Sequence, residues 1–214
     1  MQRLPAPCRT GTGRAVALWL GMSLAAAVAA ETIGTDQLLQ PWPHQQIREL
    51  EIGRDPVRWR QQVSREHGLR QGVQFAVPLP LAATWELANR YDDVGRTTPG
   101  VTAVRYLERT ERRQVIQIDM KVLWKRVTLT FEIEQDPPRE VRFRWRDDRV
   151  GELVGACLFQ EAAAAVPTSS ATAITFVTQF TSRRPVPMGL LAAVERIAML
   201  QAVKSFLRTC EQQV

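Results

Sequence analysis

Residues 127–146 read VTLTFEIEQDPPREVRFRWR, and this stretch decides the fold. Apolar and polar residues alternate up to Glu134 and again from Val141 onward, which is the period of a strand with one buried face. The prolines at 137–138 lie between the two runs and mark a turn, because proline has no backbone donor for a sheet. The stretch therefore predicts an antiparallel hairpin.

The same period of two recurs on both sides of this hairpin. It predicts strands over 73–77, 101–109, 115–121, 153–160 and 171–180. Successive strands joined by short turns favour an antiparallel meander. A helix is expected from about Pro80, a second short helix or turn at 91–94, and a long helix over about 188–210.

The apolar residues of the last helix fall into two groups. Leu190, Leu191, Val194, Ile197 and Ala198 share one side, whereas Met199, Val203, Phe206, Leu207 and Cys210 lie nearer the opposite side. This pattern predicts either a straight helix covered on a different side at each end or a kinked helix.

The N-terminus has the order of a secretory signal. Three arginines and no acid precede an apolar run over 15–30, which ends in small residues before Glu31. The run is shorter than the roughly 20 residues that a spanning helix needs. We therefore expect a signal peptide over 1–30 and a periplasmic or secreted product; an uncleaved N-terminal anchor is the alternative.

Residues 31–69 are predicted to form an N-terminal arm outside the domain proper, which is expected over 70–214. The prolines near residue 42 disfavour regular structure. A short helix is expected over 57–67, since Asp55 suits its cap, Pro56 its first position and Gly68 its end.

The charge of the chain does not indicate nucleic-acid binding. The 28 Lys and Arg and the 22 Asp and Glu give a net charge of +6. Three of the arginines lie in segment 1–30, so the mature chain would carry 25 basic and 22 acidic residues, or +3. So small an excess does not argue for a nucleic-acid partner.

Two cysteines would remain after cleavage, Cys157 and Cys210. In an oxidising compartment they are a candidate disulfide; the alternative is that both are small buried apolar residues. The cysteine spacing shows no metal motif, and both histidines lie far from either cysteine in sequence. No metal or cofactor is expected.

The order of the predicted elements and three short segments carry a resemblance to a known family. Residues 75–78 (FAVP), followed by 81–87 (LAATWEL), and the Tyr91-Asp92-Asp93 segment resemble the START-like (SRPBCC) superfamily. That superfamily includes the polyketide cyclase/dehydrase and lipid-transport group and the coenzyme-Q-binding proteins. The resemblance covers about residues 70–210 and implies the α+β helix-grip fold. This fold is a curved antiparallel sheet of about seven strands around a long C-terminal helix, with two short helices after the first strand.

The resemblance implies a hydrophobic ligand site between the sheet and the long helix. The large apolar residues expected to line it are Met120, Phe131, Phe143 and Trp145 from strands, with Leu190, Leu191 and Val194 from the helix. The alternative for each is plain core packing, because apolar strand faces usually form a filled core.

No catalytic set stands out in the sequence. The adjacent Asp92 and Asp93 suit a helix cap or turn better than a catalytic pair. Arg142, Arg144 and Arg146 form a row that would suit anionic lipid head groups, but Glu132 and Glu134 on the preceding strand favour cross-strand pairing instead.

Three functions remain open on this reasoning. The first is a non-enzymatic carrier of a hydrophobic small molecule or lipid, with transient membrane contact as a further expectation. The second is a cyclase-like or hydrolytic enzyme that uses the same cavity. The third is an interaction module with a filled core. The lack of converging polar residues favours the carrier over the enzyme, and only the presence of a cavity separates the carrier from the interaction module.

Overall fold

The computed structural model describes residues 35, 38–40, 47–52, 55–64, 68–93, 100–122, 125–162 and 170–213. These residues form one antiparallel sheet and three helices. The strands are β1 (Arg48–Ile52), β2 (Asp55–Ser64), β3 (Gly68–Val77), β4 (Val101–Arg109), β5 (Arg113–Val122), β6 (Lys125–Asp136), β7 (Glu140–Asp147), β8 (Gly151–Ala162) and β9 (Ala171–Ser182). The helices are α1 (Leu81–Ala88), the 3₁₀ helix α2 (Tyr91–Asp93) and α3 (Met188–Glu211).

The sheet has the strand order β1-β2-β3-β9-β8-β7-β6-β5-β4. Every neighbouring pair is antiparallel, and every pair except β3 and β9 joins strands that are consecutive in the chain. The curved sheet packs one face under α3, where Val203, Leu207 and Cys210 join the main apolar core. The α+β helix-grip architecture predicted from the sequence is confirmed.

The decisive hairpin forms as its alternation predicts. In the β6–β7 pair, Glu132 lies opposite Arg144 and Glu134 lies opposite Arg142. Arg142 Nε also donates to Glu140 Oε1 at 2.6 Å, and Arg144 pairs with Glu152 of β8. Arg142 and Arg144 therefore lie close to carboxylates of their own strand and of the neighbouring strands, in agreement with the predicted cross-strand pairing.

The helix predicted over 57–67 is wrong, because Asp55–Ser64 forms strand β2 between β1 and β3. Val57 and Trp59 are fully buried while Arg58 between them is exposed, which is the period of a strand. The local cap signals are overridden by packing on β3, where Trp59 lies opposite Val73. Proline is tolerated at position 56 because it stands at the start of the strand.

The added strands change the size of the sheet and its N-terminal limit. The described residues form nine strands rather than about seven. Strands β1 and β2, which lie within the segment predicted as an arm outside the domain, belong to the same sheet as β3 and the strands that follow it.

Helix α3 is a single helix, and both of its halves pack on the sheet along one side. Ala192 and Val203 are buried, but Leu190, Val194 and Ile197 are 65%, 56% and 59% exposed. The first apolar group of the helix therefore forms a solvent-facing stripe rather than a second packed side. Within the described ranges, the helices are too short or too polar to cross a membrane.

The absence of a side chain at residue 155 should be essential to the packing of β7 on β8. Gly155 lies opposite Phe143, and an ideal Cβ there would overlap the Phe143 ring and lie 2.7 Å from the carbonyl oxygen of Val177. We expect Gly155→Ala to lower the free energy of unfolding by about 1–3 kcal/mol, measured by urea denaturation. The matched control is Gly189→Ala on α3, where a Cβ meets no atom within 4 Å and stability should stay or rise by up to about 1 kcal/mol. Equal effects of the two substitutions would contradict this account.

Candidate ligand-binding cavity

A cavity of about 400 Å³ lies between the sheet, the α1–α2 connection and the C-terminal half of α3. Its sheet wall consists of alternate residues along each strand, for example Ile116 and Ile118 of β5 and Phe131 and Ile133 of β6. Alternation places these side chains on one face and their sequence neighbours on the other. The wall is apolar because the residues that alternate onto this face of each strand are apolar.

Aromatic rings shape the wall. Phe143 stacks on Phe176 with centroids 5.6 Å apart, and Phe131 meets the Phe143 ring edge-to-face at 6.4 Å. On the helix side, Phe75 of β3 contacts Phe206 of α3 edge-to-face at 6.3 Å. These contacts hold the rings against one another and against the sheet, so the space between sheet and helix stays open.

One face of α3 forms the roof. Met199, Ala202, Val203 and Phe206 all line the cavity, and their spacing of three and four residues places them on one side of the helix. The N-terminal half of α3 packs elsewhere, on β2 and β3. The roof therefore begins about two turns later along the helix than the sequence predicted.

Phe131 and Phe143 are the two predicted site residues that the structure places in the lining. Met120 and Trp145 lie on the same strand faces two residues beyond Ile118 and Phe143, and both are outside the lining. Leu190, Leu191 and Val194 also lie outside it, and Leu190 and Val194 face solvent. Which side of α3 faces the sheet depends in part on its contact with β2, where Gln61 bonds to Ala192. The sequence had been interpreted as a helix at β2, so this contact could not be foreseen.

Polar side chains meet at the α1–α2 end of the cavity. Asn89 and Tyr91 line it, and the Tyr91 hydroxyl donates to Asn89 Oδ1 at 2.9 Å. Gln135 Nε2 of β6 donates to the same oxygen at 2.8 Å, and Gln114 Nε2 of β5 donates to Gln135 Oε1 at 3.0 Å. Asn89 Nδ2 in turn donates to the backbone oxygen of Trp85 at 2.9 Å. We call Asn89, Tyr91, Gln135 and Gln114 the amide–phenol network.

The sequence reasoning missed this network, although a signal for it exists. Gln114 is in phase with Ile116 and Ile118, and Gln135 is in phase with Ile133 and Phe131. A glutamine that occupies the apolar phase of a strand points toward the core, where its amide needs hydrogen-bond partners.

The titratable groups of the lining are uncharged near neutral pH. Burial raises the pKa of the Tyr91 phenol and of the Cys157 thiol well above their ordinary values. Of the lining residues that the structure describes, none carries a Lys, Arg, Asp, Glu or His side chain. The cavity is thus a neutral apolar space with one hydrogen-bonding end.

A family model described as polyketide cyclase/dehydrase and lipid transport matches residues 77–207. The chain belongs to this family. The match begins at the last residue of β3 and includes α1, strands β4 to β9 and the roof of the cavity, so it covers most of the elements that build the site. The predicted membership of the START-like superfamily is confirmed.

Solved structures show the same fold at low sequence identity. The Zhui aromatase/cyclase from Streptomyces sp. R1128 is 18% identical, with a TM-score of 0.56 over 67% of this chain and 94% of that one. A STAR-related lipid transfer protein from Xanthomonas axonopodis is 11% identical, with a TM-score of 0.56 over 78% and 99%. Human STARD10 is 12% identical, with a TM-score of 0.56 over 79% and 75%. A comparison with curated proteins returned no match.

The two cysteines that the structure describes, Cys157 and Cys210, are free thiols. Cys157 lines the cavity, and Cys210 of α3 is buried in the main core. The structure records no bond between them, so the candidate disulfide is not part of it.

Other polar residues weighed from the sequence lie away from the cavity. Asp119 follows the lining residue Ile118 and so points to the opposite face, where it pairs with Arg105 and accepts a hydrogen bond from Thr128 at 2.7 Å. Asp92 accepts a long hydrogen bond from Tyr106 at 3.5 Å. In the described part of the chain, no His, Cys, Asp and Glu groups are clustered as a metal site would require.

A second polar cluster anchors the N-terminal half of α3. Gln71 Nε2 donates to Glu195 Oε2 at 2.6 Å, and Gln61 Nε2 donates to the backbone oxygen of Ala192 at 2.7 Å. Burial raises the pKa of Glu195 to about 7. The helix is therefore tied to β2 through the Ala192 carbonyl and to β3 through the Glu195 carboxyl group, which titrates near neutral pH.

The raised pKa of Glu195 predicts a loss of stability as pH rises. Above about pH 4.5 the unfolded chain releases this proton, whereas the folded chain retains it until about pH 7. The stabilisation is complete below the unfolded value and is lost as pH rises through the folded value. Relative to Glu195→Gln, the native protein should lose on the order of 2 kcal/mol of unfolding free energy between about pH 5 and about pH 8.

Urea denaturation at both pH values measures this difference. The control is Glu211→Gln, at the exposed end of the same helix, which should keep the native pH profile. A native profile in Glu195→Gln as well would show that Glu195 does not carry the effect.

Proposed function

We propose that this protein is an exported, non-enzymatic carrier that holds a hydrophobic lipid or quinone-like molecule between its sheet and α3. The observation that carries the proposal is the apolar cavity of about 400 Å³. Ligand sites in proteins have this size and are mostly apolar with a few placed polar groups. Export is proposed from the basic, apolar and small-residue order of residues 1–30.

An interaction module with a filled core has less support, because the space under α3 is not filled by side chains. A cyclase-like enzyme has one specific observation in its favour, the fold shared with an aromatase/cyclase. Acid–base catalysis at neutral pH works best with a group whose pKa lies near that pH. The phenol and thiol of the lining have their pKa raised far above it, which favours binding over catalysis.

Blocking the roof should abolish binding of an apolar probe. Ala202 lines the cavity but is itself exposed, so Ala202→Trp would place a large ring at the cavity without overpacking the buried core. We expect N-phenyl-1-naphthylamine to gain fluorescence with the native protein and to bind at least about tenfold more weakly to this variant. Fluorescence titration measures both affinities.

The matched control for this prediction is Ala193→Trp, an exposed position on the opposite side of the same helix. It should bind the probe as the native protein does. The carrier proposal fails if both variants bind equally well, because the probe is then not in the cavity, and it fails if the native protein does not bind the probe.

A carrier also has to meet the membrane that supplies or receives its ligand. The solvent-facing side of α3 continues from the exposed Leu190, Val194 and Ile197 to the exposed Lys204 and Arg208, at helical spacing. An apolar half followed by a basic half suits a helix that lies on an anionic lipid surface. We therefore propose that this side of α3 makes transient contact with a membrane.

Charges in the apolar half should weaken that contact. We expect Leu190→Glu with Val194→Glu to reduce sedimentation with phosphatidylglycerol-containing vesicles by about tenfold or more, since each apolar side chain contributes roughly 1.5–3 kcal/mol on burial. Val63→Glu with Leu107→Glu is the matched control, because it adds the same charge at exposed apolar positions of the sheet. Equal sedimentation of the two double variants would contradict the proposal.

A further inference from the structure

The amide–phenol network has few hydrogen-bonding groups left to offer a ligand. Gln135 Oε1 accepts from Gln114, which fixes the Gln135 amide so that its nitrogen faces Asn89. Asn89 Nδ2 donates to Trp85, which fixes its oxygen toward Gln135 and Tyr91. That oxygen receives two hydrogen bonds and has filled both of its lone pairs.

Two groups at the cavity end retain capacity. Asn89 Nδ2 has two hydrogens and donates one of them to Trp85, so one donor is left. The Tyr91 oxygen has given its hydrogen to Asn89 and accepts from the Gln135 amide, which leaves one of its two lone pairs to accept from a ligand. Both residues line the cavity. The open end thus presents one donor and one acceptor side by side.

We infer that the cavity selects an uncharged apolar ligand that carries a hydroxyl group at its inserted end. A hydroxyl is both donor and acceptor, so it satisfies the Tyr91 oxygen and the Asn89 amide together, whereas an ether or carbonyl satisfies only the amide. This inference rests on the proposed carrier function and names the chemistry of its ligand.

Charged lipids fit this end poorly. The described lining has no cationic side chain to pair with a carboxylate or phosphate. An anion moved from water into such a site keeps most of its desolvation penalty, because a single amide hydrogen does not replace its hydration. The network itself is neutral, so it offers no charge to compensate.

A competition experiment on the unmodified protein tests the inference. N-phenyl-1-naphthylamine is bound first, and decan-1-ol, its isomer 1-methoxynonane and decanoate are then added as competitors. We expect decan-1-ol to displace the probe about tenfold more effectively than the ether, which lacks the donor, and more effectively still than decanoate. The chains are of matched length, so the difference reports the polar end.

A variant then locates the preference. Tyr91→Phe should reduce the difference between alcohol and ether to about threefold or less, because it removes the phenol oxygen beside the Asn89 donor, while the Asn89 oxygen stays directed toward Gln135. Tyr106→Phe is the matched control, since its hydroxyl contacts Asp92 and does not line the cavity; the difference should stay at the native value. Circular dichroism checks that both variants fold. If Tyr91→Phe does not fold, the ligand series on the native protein still decides the inference.

The outcomes separate the two proposals. Absence of probe binding, or binding that Ala202→Trp leaves unchanged, removes the carrier function itself. Probe binding that Ala202→Trp blocks, with alcohol and ether equal or with decanoate the best competitor, overturns only the hydroxyl preference. Loss of the preference in Tyr106→Phe as well as Tyr91→Phe would also overturn it.

Discussion

The antiparallel pairing of β3 with β9 brings together segments about a hundred residues apart in the chain, as in the hydrogen bond from Gln74 to Thr175. The other neighbouring pairs of the described sheet are hairpins between consecutive strands, which form locally. This one long-range ladder places the helices that follow β3 and the helix that follows β9 over the same sheet face. The α1–α2 end and the α3 roof of the cavity both depend on it.

Short sequence patterns were enough to predict the strands and turns that are formed by contacts between neighbouring segments of the chain. The alternation in residues 127–146 predicted β6, the turn and β7, because the apolar phase alone selects the buried face. It failed at β2, where Asp55, Pro56 and Gly68 resemble helix signals but Val57 and Trp59 pack on β3. Burial of a tryptophan and a valine contributes several kcal/mol, which exceeds the roughly 1 kcal/mol of a helix cap.

The residues of the candidate site likewise fall into a group that local patterns predict and a group that depends on long-range contacts. Phe131 and Phe143 were predictable because strand phase determines which way they point. The α3 residues were not, since the rotation of a helix over a sheet depends on partners such as Gln61 and Gln71, which contact Ala192 and Glu195 from strands remote in sequence. The amide–phenol network depends on four side chains from β5, β6 and the α1–α2 connection. No short-range sequence pattern predicts that these four side chains contact one another. The only local signal is that Gln114 in β5 and Gln135 in β6 occupy positions on the apolar face of their strands.

The volume of the cavity bears on function because an apolar cavity lowers the stability of the folded chain. Residual apolar cavities reduce stability by about 24 cal/mol per Å³ in a closed core, so a cavity of about 400 Å³ represents several kcal/mol even when part of it opens to solvent. That is a large share of the 5–15 kcal/mol that typically stabilises a domain. Substitutions at Ala88 or Ala202 offer simple routes to fill the space with larger side chains. A ligand in this space would supply the contacts that the cavity lacks and would stabilise the folded state in proportion to its occupancy.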